Sequence, residues 1–561
     1  MFQSLSRIAG SERVKASDAV LLRRSSLADV GLGRALGSLQ KLYPALALSG
    51  FGALLIAVFA RIMNYEVRRD EQLYVPPASL LDHQNLYVDF FYNHVPYSAY
   101  LFRGATWLLG TDHLLFASRL TVFAGWLVFC AAIAWLTMRL TRSRTLAAFL
   151  VLAVLTNDMF LSVTGMTATN NFIPLPFAFI GLGLVAVSMI EDKPAIGVII
   201  AAGIFLSVSA GLKASAISFI FPLVAALLLL PASQGFGWRL KYYLLPLAVG
   251  GLVGAAPVLF LLAQSPELFL AHIVGFHTGP HVAYWQANQG IASDVAMSIA
   301  DRIKLAYLVW FSGANLIVLM IALLFAVMAT QRSAGAGSQR RQELEAIATI
   351  TVAGIFTLAF AFLPKPGFPQ YYTPPMVCVL LLLILGYRLL QPDQRSTLKP
   401  VLVAASVVLV LANLPRLVQH LPKIAEPDAW TVTTAHNAGL TIRQSMAQHG
   451  ASGPVATLAP IYALEAGLEV YPEFATGQFA YRTAEFTNEN LSKYFRSTSP
   501  AKVAELFASR PPAAILVGFE EQLEAPMLRY ALAHGYVRID DFKLRDRYGA
   551  AVLYVRTDPR R

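Results

Sequence analysis

Charged residues are scarce in this sequence: they make up 14% of its 561 residues, whereas soluble domains carry about 25%. Hydrophobic residues make up 56%, which excludes a soluble globule and, for most of the chain, intrinsic disorder. The two cysteines are too few for a disulfide scaffold or a cysteine-based zinc site. Because the apolar residues form long runs, which a transmembrane β-barrel lacks, the composition predicts a polytopic α-helical membrane protein.

Two common catalytic motifs are also missing. The sequence has neither a Walker-type glycine-rich phosphate loop nor a GxSxG nucleophile turn. ATP-driven transport and serine hydrolysis therefore have no support. Any chemistry must come from the polar residues that lie between the apolar runs.

The apolar runs are typical of membrane-spanning helices. A bilayer core about 30 Å thick requires roughly 20 apolar residues in a helix. Residues 195–231 form one apolar stretch that Gly211 and Lys213 interrupt, and we predict two short helices with a tight outer turn there, because lipid penalises a charge at mid-membrane. In total we predict eleven spans, at residues 42–63, 114–138, 144–163, 172–190, 195–211, 214–231, 240–264, 303–328, 344–363, 371–388 and 399–414.

Basic residues near the span ends predict the orientation of the chain. Residues 1–41 carry seven Lys and Arg against three Asp and Glu, so we expect a cytoplasmic basic segment. With eleven spans, the basic loops at 139–144, 332–341 and 388–399 fall on the same side, and the C-terminus lies outside. We expect a bacterial inner membrane, where an outward-facing protein needs no disulfides. The net charge of +11 then reflects topology and does not indicate nucleic acid binding.

This topology leaves three long segments outside: residues 64–113, residues 265–302 and the tail at 415–561. The tail has the size of a domain. Its mixed pattern predicts three helices and three strands, at residues 431–449, 455–458, 500–509, 513–517, 523–535 and 551–555. We therefore predict a small extracytoplasmic α/β domain that follows a transmembrane domain at 42–414.

The first outer segment opens with four consecutive charges, Arg68, Arg69, Asp70 and Glu71, directly after the first span. A carboxylate at the membrane surface can act as a general base on a hydroxyl or amine, or it can hold a cation. The alternative is a solvated helix start in which the two arginines balance the two acids.

Asp89 and His94 lie further along the same segment, among Tyr and Phe residues. An interfacial aromatic belt with two incidental polar residues accounts for this pattern without any chemistry. A single histidine in such a place is more often a hydrogen-bonded structural residue than a ligand or base.

Two lysines and a tyrosine are candidates to bind an anion. Lys213 interrupts an apolar stretch, where an ionisable residue is a functional candidate and an ammonium can pair with a lipid phosphate. Snorkelling of Lys213 to the interface is the alternative. Lys365 and Tyr371 lie in a proline-rich loop that faces the same outer surface as Asp70; by themselves they are typical of an ordinary turn with an interfacial tyrosine.

His277 and His281 are four residues apart, a spacing that could bind a metal on a helix. Gly279 and Pro280 lie between them and argue against a regular helix. No glutamate completes a zincin-like pattern, so the sequence does not favour a metal site here.

Together these features resemble the GT-C superfamily of polytopic glycosyltransferases, in particular the branch with protein O-mannosyltransferases and the lipid A aminoarabinose transferase. The resemblance covers most of the chain by topology and is carried by a few motifs. These are the Asp70-Glu71 pair in its topological slot, the segment from Tyr87 to Pro96, the turn from Gly211 to Ser215, the segment from Gln370 to Pro375, and residues 454–482.

The resemblance implies a sugar donor carried on a polyprenyl phosphate or diphosphate, and an active site in an outer cavity beside the membrane. It implies that Asp70 is the general base or positions the acceptor, with Glu71 in support. Asp89 and His94 would shape the acceptor side. The departing lipid phosphate would be bound by Lys213, Lys365, Tyr371, Arg68 and Arg69.

One departure from the family pattern concerns metal. Many relatives have a second acidic residue in the next outer loop, where this sequence has Asn170 and Asn171. The departure argues against a divalent metal held by two acids, so we expect transfer without a metal or other cofactor.

We therefore predict a membrane glycosyltransferase that moves a sugar from a polyprenyl-phosphate donor to an envelope glycan, lipid or protein. A polysaccharide polymerase or ligase is one alternative, but it would need long outer loops carrying arginine, and the richest outer loop here begins with Asp-Glu. A transporter is the other alternative. It should show broken helices and mid-membrane charges in paired halves, and no paired halves are found.

Overall fold

The computed structural model of the protein describes residue 45 and residues 47–191, 194–290, 295–330 and 337–557. The predicted cytoplasmic segment at 1–41 lies outside these described residues. The described residues from Val58 onward belong to one compact unit. Every side-chain contact discussed below lies within this unit.

Apolar helices coincide with the eleven predicted spans. Seven of them are long and apolar enough to cross a membrane: α1 (Ala47–Asn64), α2 (Leu114–Thr141), α7 (Phe236–Gln264), α8 (Gly313–Thr330), α9 (Gln339–Phe360), α10 (Pro369–Leu389) and α11 (Pro392–Val418). Four shorter ones are α3 (Arg144–Leu155), α4 (Pro174–Ile190), α5 (Ile196–Leu212) and α6 (Ala214–Leu229). The predicted α-helical membrane fold is confirmed.

Two predicted spans are wrong in their extent, and local polar groups explain both differences. The helix expected at 144–163 ends at Leu155, because the Asn157 side chain accepts hydrogen bonds from the backbone N–H groups of Met159 and Phe160 and turns the chain. The span expected at 303–328 is divided into a helix at Ile299–Trp310 and α8. Gly313 begins α8 with φ +52°, a conformation that glycine adopts without steric cost.

Helices α5 and α7 pack closely through glycines. A Cβ atom at Gly250 on α7 would lie 1.9 Å from the carbonyl oxygen of Ile200 on α5, and a Cβ at Gly203 would lie 2.3 Å from that of Leu247. Small residues let membrane helices approach to backbone contact, which compensates for the weak hydrophobic drive between helices in lipid. This contact holds α5, and therefore the α5–α6 junction, in place.

The first outer segment, residues 64–113, is called the first loop below. It contains short helices at Glu71–Tyr74, Pro77–Leu80 and Tyr97–Leu109. On the last of these, Phe102 is buried while the Trp107 side chain is 74% exposed. The Tyr97–Leu109 helix therefore has one buried face and one exposed face.

The C-terminal part contains a four-stranded sheet of β1 (Val455–Thr457), β2 (Ala514–Val517), β3 (Val537–Ile539) and β4 (Val552–Val555), in the order β1-β2-β4-β3. Strand β1 pairs parallel to β2, and the other pairs are antiparallel. The main helices are α12 (Thr431–Gln448), α13 (Val503–Ser509) and α14 (Glu521–Ala533).

The predicted α/β character of this part is confirmed, and one strand was missed. The three predicted strands are β1, β2 and β4, which are largely buried and apolar. Strand β3 has two exposed residues and a third that is half-buried, so it carries no clear apolar pattern. Helix α11 continues to Val418, past the predicted boundary at 415; the domain boundaries themselves stay a prediction.

Candidate active site

A cavity of about 430 Å³ lies where the first loop, the α5–α6 junction, the start of α10 and the C-terminal part meet. Its lining includes ten of the residues singled out in the sequence, namely Arg68, Arg69, Asp70, His94, Asn170, Asn171, Lys213, His277, His281 and Tyr371. Residues more than 300 positions apart in the chain thus come together around one space large enough for a sugar and a phosphate group.

Asp70 directly precedes the Glu71–Tyr74 helix and lines the cavity. Burial lowers the pKa of two cations of the cavity, Lys213 and Arg482, and the negative charge of Asp70 opposes this shift in each case. The Asp70 carboxylate therefore lines a cavity that also contains several basic side chains.

Glu71 is fully buried and does not line the cavity. Its carboxylate accepts two hydrogen bonds from the Arg119 guanidinium of α2, at 2.9 and 2.8 Å. It also accepts hydrogen bonds from the backbone N–H groups of Arg68 and Ala168. Glu71 thus fixes the start of the loop that carries Asp70, and its geometry is that of a positioning residue.

The two arginines beside Asp70 have different surroundings. Arg69 forms an ion pair with Glu520, with Nη2 2.9 Å from Oε2, and its guanidinium lies 4.2 Å from the ring centre of Tyr548. Arg69 thereby ties the first loop to the C-terminal part. Arg68 donates to the hydroxyl of Tyr65 at 3.3 Å, while its Nε is buried without a hydrogen-bond partner among the described residues.

Lys213 lies between α5 and α6, at the point where the two apolar helices break. Its ammonium donates to Oδ1 of Asn171 at 2.6 Å and lies 5.4 Å from the ring centre of Tyr371. Burial lowers the pKa of Lys213 to about 8, and the charge of Asp70 opposes this shift. Lys213 and Tyr371, which the resemblance assigned to the lipid phosphate, are therefore neighbours in the cavity.

The two asparagines that replace an expected acid also line the cavity. Oδ1 of Asn170 accepts a hydrogen bond from the hydroxyl of Tyr74 at 2.7 Å, and Oδ1 of Asn171 accepts the one from Lys213. Within the described residues, no group of three or more His, Cys, Asp or Glu side chains is arranged to hold a metal. The asparagines instead orient a tyrosine and a lysine.

Besides Glu71, two further predicted site residues do not line the cavity. Lys365 is exposed and lies outside the cavity lining, in a loop whose Gly367 pairs with the backbone of Ala296. Asp89 accepts hydrogen bonds from the backbone and side chain of Asn85 at 2.7 and 3.0 Å and closes its own turn.

A group of histidines forms one side of the cavity. His94 stacks on Tyr74 with 4.7 Å between ring centres and lies 5.4 Å from His277, which in turn lies 5.7 Å from His281. Burial lowers the pKa of His94 and of His281 well below the usual range, so both rings are neutral at pH 7. The helix is interrupted between His277 and His281, at Gly279.

The C-terminal part supplies lining residues that the sequence did not indicate, namely Gln478, Phe479, Arg482 and Tyr548. None of them belongs to a motif that marks chemistry. Only the resemblance to a family tail marks the stretch at 454–482, and Arg482 lies at the end of this stretch.

No protein-family model matches the sequence, and no curated protein matches it. Two solved structures share its fold. One is ArnT from Cupriavidus metallidurans bound to undecaprenyl phosphate, with a TM-score of 0.57, 17% identity and coverage of 91% of this chain and 98% of that one. The other is the same protein in the apo state, with a TM-score of 0.55, 15% identity and coverage of 91% and 97%. The similarity to these two structures confirms the fold that the sequence resemblance implied.

Proposed function

We propose that this protein is a membrane glycosyltransferase that moves a sugar from a polyprenyl-phosphate carrier to an acceptor, with Asp70 as the general base. The observation that carries the proposal is that Asp70, Lys213 and Tyr371 line one cavity, and that Lys213 lies where two apolar helices end. The solved structure of similar fold that is bound to undecaprenyl phosphate supports a carrier of this class.

The donor phosphate would bind near Lys213. A polyprenyl chain stays in the bilayer, so its phosphate must be met where membrane helices end, and Lys213 lies between α5 and α6. Arg68 offers a second cation with an unpartnered Nε, and Tyr371 offers a hydroxyl. Ammonium and guanidinium groups form the strongest hydrogen bonds with phosphate oxygens.

The transfer is a single displacement at C1 of the sugar. Asp70 accepts the proton of the acceptor hydroxyl or amine as that atom forms a bond to C1. The bond between C1 and the phosphate oxygen breaks, and its electron pair leaves with the polyprenyl phosphate. Lys213 and Arg68 stabilise the charge that grows on the leaving group, which is the main role of fixed cations in such a site. The anomeric configuration is inverted.

We propose that the reaction uses no divalent metal. Asn170 and Asn171 stand where many relatives have an acid, and both amide oxygens are already engaged by Tyr74 and Lys213. We further propose that the cavity opens to the outer face of a bacterial inner membrane, as the distribution of basic residues predicts, and that the acceptor is an envelope glycan, lipid or protein.

Replacement of Lys213 tests the donor site. We expect Lys213→Gln to weaken the binding of undecaprenyl phosphate about tenfold or more, because hydrogen bonds to charged groups contribute about 1.5–3 kcal/mol. The measurement is a titration of the purified full chain in detergent. Lys365→Gln is the matched control, since Lys365 lies outside the cavity, and it should bind as wild type. Equal effects of the two substitutions would place the phosphate elsewhere.

The same binding should depend on pH in the alkaline range. The pKa of Lys213 is lowered to about 8, so the ammonium is charged below that pH and loses its proton above it. The affinity for undecaprenyl phosphate should therefore fall as the pH rises from 7 to 9, where the phosphate itself no longer titrates. In Lys213→Arg the decline should disappear, because guanidinium stays protonated. A decline of the same size in this variant would assign it to another group.

A further inference from the structure

One wall of the cavity presents hydrogen-bond donors that have no partner. Nε2 of Gln478, Nε of Arg482 and Nε1 of Trp285 are buried there without a hydrogen-bond partner among the described residues, and so is Nδ1 of His281. Buried polar atoms are normally satisfied, and each exception calls for an explanation. Three of these four atoms can only donate, so the missing partner is a group rich in acceptor oxygens.

Arg482 is the centre of this wall. Its side chain is 9% exposed, and its guanidinium lies 4.9 Å, 5.2 Å and 4.8 Å from the ring centres of Tyr284, Trp285 and Phe479. In the described part of the chain Arg482 forms no ion pair. The charges of Glu520 and Asp70 act on it from beyond ion-pair distance, and Glu520 is paired with Arg69. A buried charge without a paired partner is costly, and aromatic rings offset only part of that cost.

This wall is distinct from the one that carries Lys213. Lys213 lies between two apolar helices, with Asn171 and Tyr371 as its neighbours. Arg482 lies on the helix Gln478–Thr483 of the C-terminal part, among side chains of the Pro280–Ala287 helix. The proposed polyprenyl phosphate, anchored in the bilayer, occupies the wall that carries Lys213. The wall that carries Arg482 is then left for a different anion.

We propose that Arg482, Gln478 and Trp285 form a second anion site, which binds a carboxylate or phosphate group of the acceptor substrate while the donor phosphate occupies the Lys213 site. The inference rests on the proposed function for the identity of the donor, but the site itself follows from the unpartnered donors. Such a site makes the enzyme select an acceptor that carries an oxyanion near the reacting atom. Arg482 is then a specificity-determining residue contributed by the C-terminal part.

The test is a calorimetric titration of the purified full chain with inorganic phosphate as the probe, in the presence of saturating undecaprenyl phosphate. Wild type should bind phosphate under these conditions. Arg482→Gln should weaken phosphate binding about tenfold or more and leave the affinity for undecaprenyl phosphate within about twofold. Lys213→Gln should show the reverse pattern. Arg496→Gln, at an exposed position, is the control and should change neither.

Three results would overturn the inference. Phosphate and undecaprenyl phosphate could compete for a single equivalent, Arg482→Gln could weaken both ligands equally, or wild type could show no phosphate binding. If Arg482→Gln does not fold, Trp285→Phe serves as the second variant, because it keeps an aromatic side chain and removes the indole N–H donor. We expect it to bind phosphate about threefold more weakly. Should phosphate bind through Arg482 while undecaprenyl phosphate does not bind at all, the proposed donor is wrong and the anion site stands.

Discussion

Asp70→Asn is expected to reduce sugar transfer by a factor of about 10² to 10⁴ while undecaprenyl phosphate still binds. General-base catalysis contributes a factor of this size, and asparagine keeps the shape of the side chain but cannot accept the acceptor proton. The measurement is the rate of sugar transfer to the endogenous acceptor in membranes of a deletion strain that expresses each variant at equal protein level.

Asp89→Asn is the matched control for this experiment. Asp89 is also an aspartate of the first loop, but its carboxylate closes a local turn with Asn85 and lies outside the cavity lining. Its replacement should leave the transfer rate close to that of wild type. If Asp70→Asn transfers sugar as fast as Asp89→Asn, Asp70 is only a loop residue, and the transporter alternative gains support.

Glu71→Gln is expected to have the largest effect on stability, a loss of about 3–5 kcal/mol. Both Glu71 and Arg119 have fully buried side chains, so removal of one charge leaves the other without compensation. Transfer should fall as well, because Glu71 accepts hydrogen bonds from the backbone N–H groups of Arg68, which lines the cavity, and of Ala168. The measurement is thermal unfolding of the purified full chain in detergent.

Two further variants make this prediction specific. Glu66→Gln, in the same loop, removes an ion pair with Arg547 whose side chains are 59% and 42% exposed, and such exposed pairs contribute about 0–1 kcal/mol. The double variant Glu71→Gln with Arg119→Met should recover part of the lost stability, because the buried charge is gone. Similar unfolding temperatures for Glu71→Gln and Glu66→Gln would contradict a structural role for the buried pair.

Much of the fold could be predicted from the sequence, because membrane helices and buried strands leave a strong apolar signal. Helices α1–α11 and strands β1, β2 and β4 follow from that signal alone. Strand β3 does not, because two of its three residues are exposed. The end of α3 depends on hydrogen bonds of a single side chain, Asn157, which no apolar pattern contains.

The site could be predicted only in part. Lys213 was found because a charge in an apolar run is conspicuous, and the structure places it in the cavity. Lys365 was assigned to the phosphate only through the family resemblance, and the structure leaves it outside the cavity lining. Arg482 lies at the end of a stretch that only resembled a family tail, and nothing in the sequence marked it as a site residue. Its burial among Tyr284, Trp285 and Phe479 depends on the packing of the C-terminal part.

The central claim, transfer of a sugar from a polyprenyl-phosphate donor, is tested most directly by mass spectrometry of envelope glycans and lipids from a deletion strain. We expect one sugar to disappear from an envelope component and the corresponding polyprenyl-linked sugar to accumulate. Expression of wild type should restore the sugar, whereas expression of Asp70→Asn should not. The mass of the lost group would also identify the sugar. A deletion strain that loses no sugar and accumulates no polyprenyl-linked sugar would contradict the account.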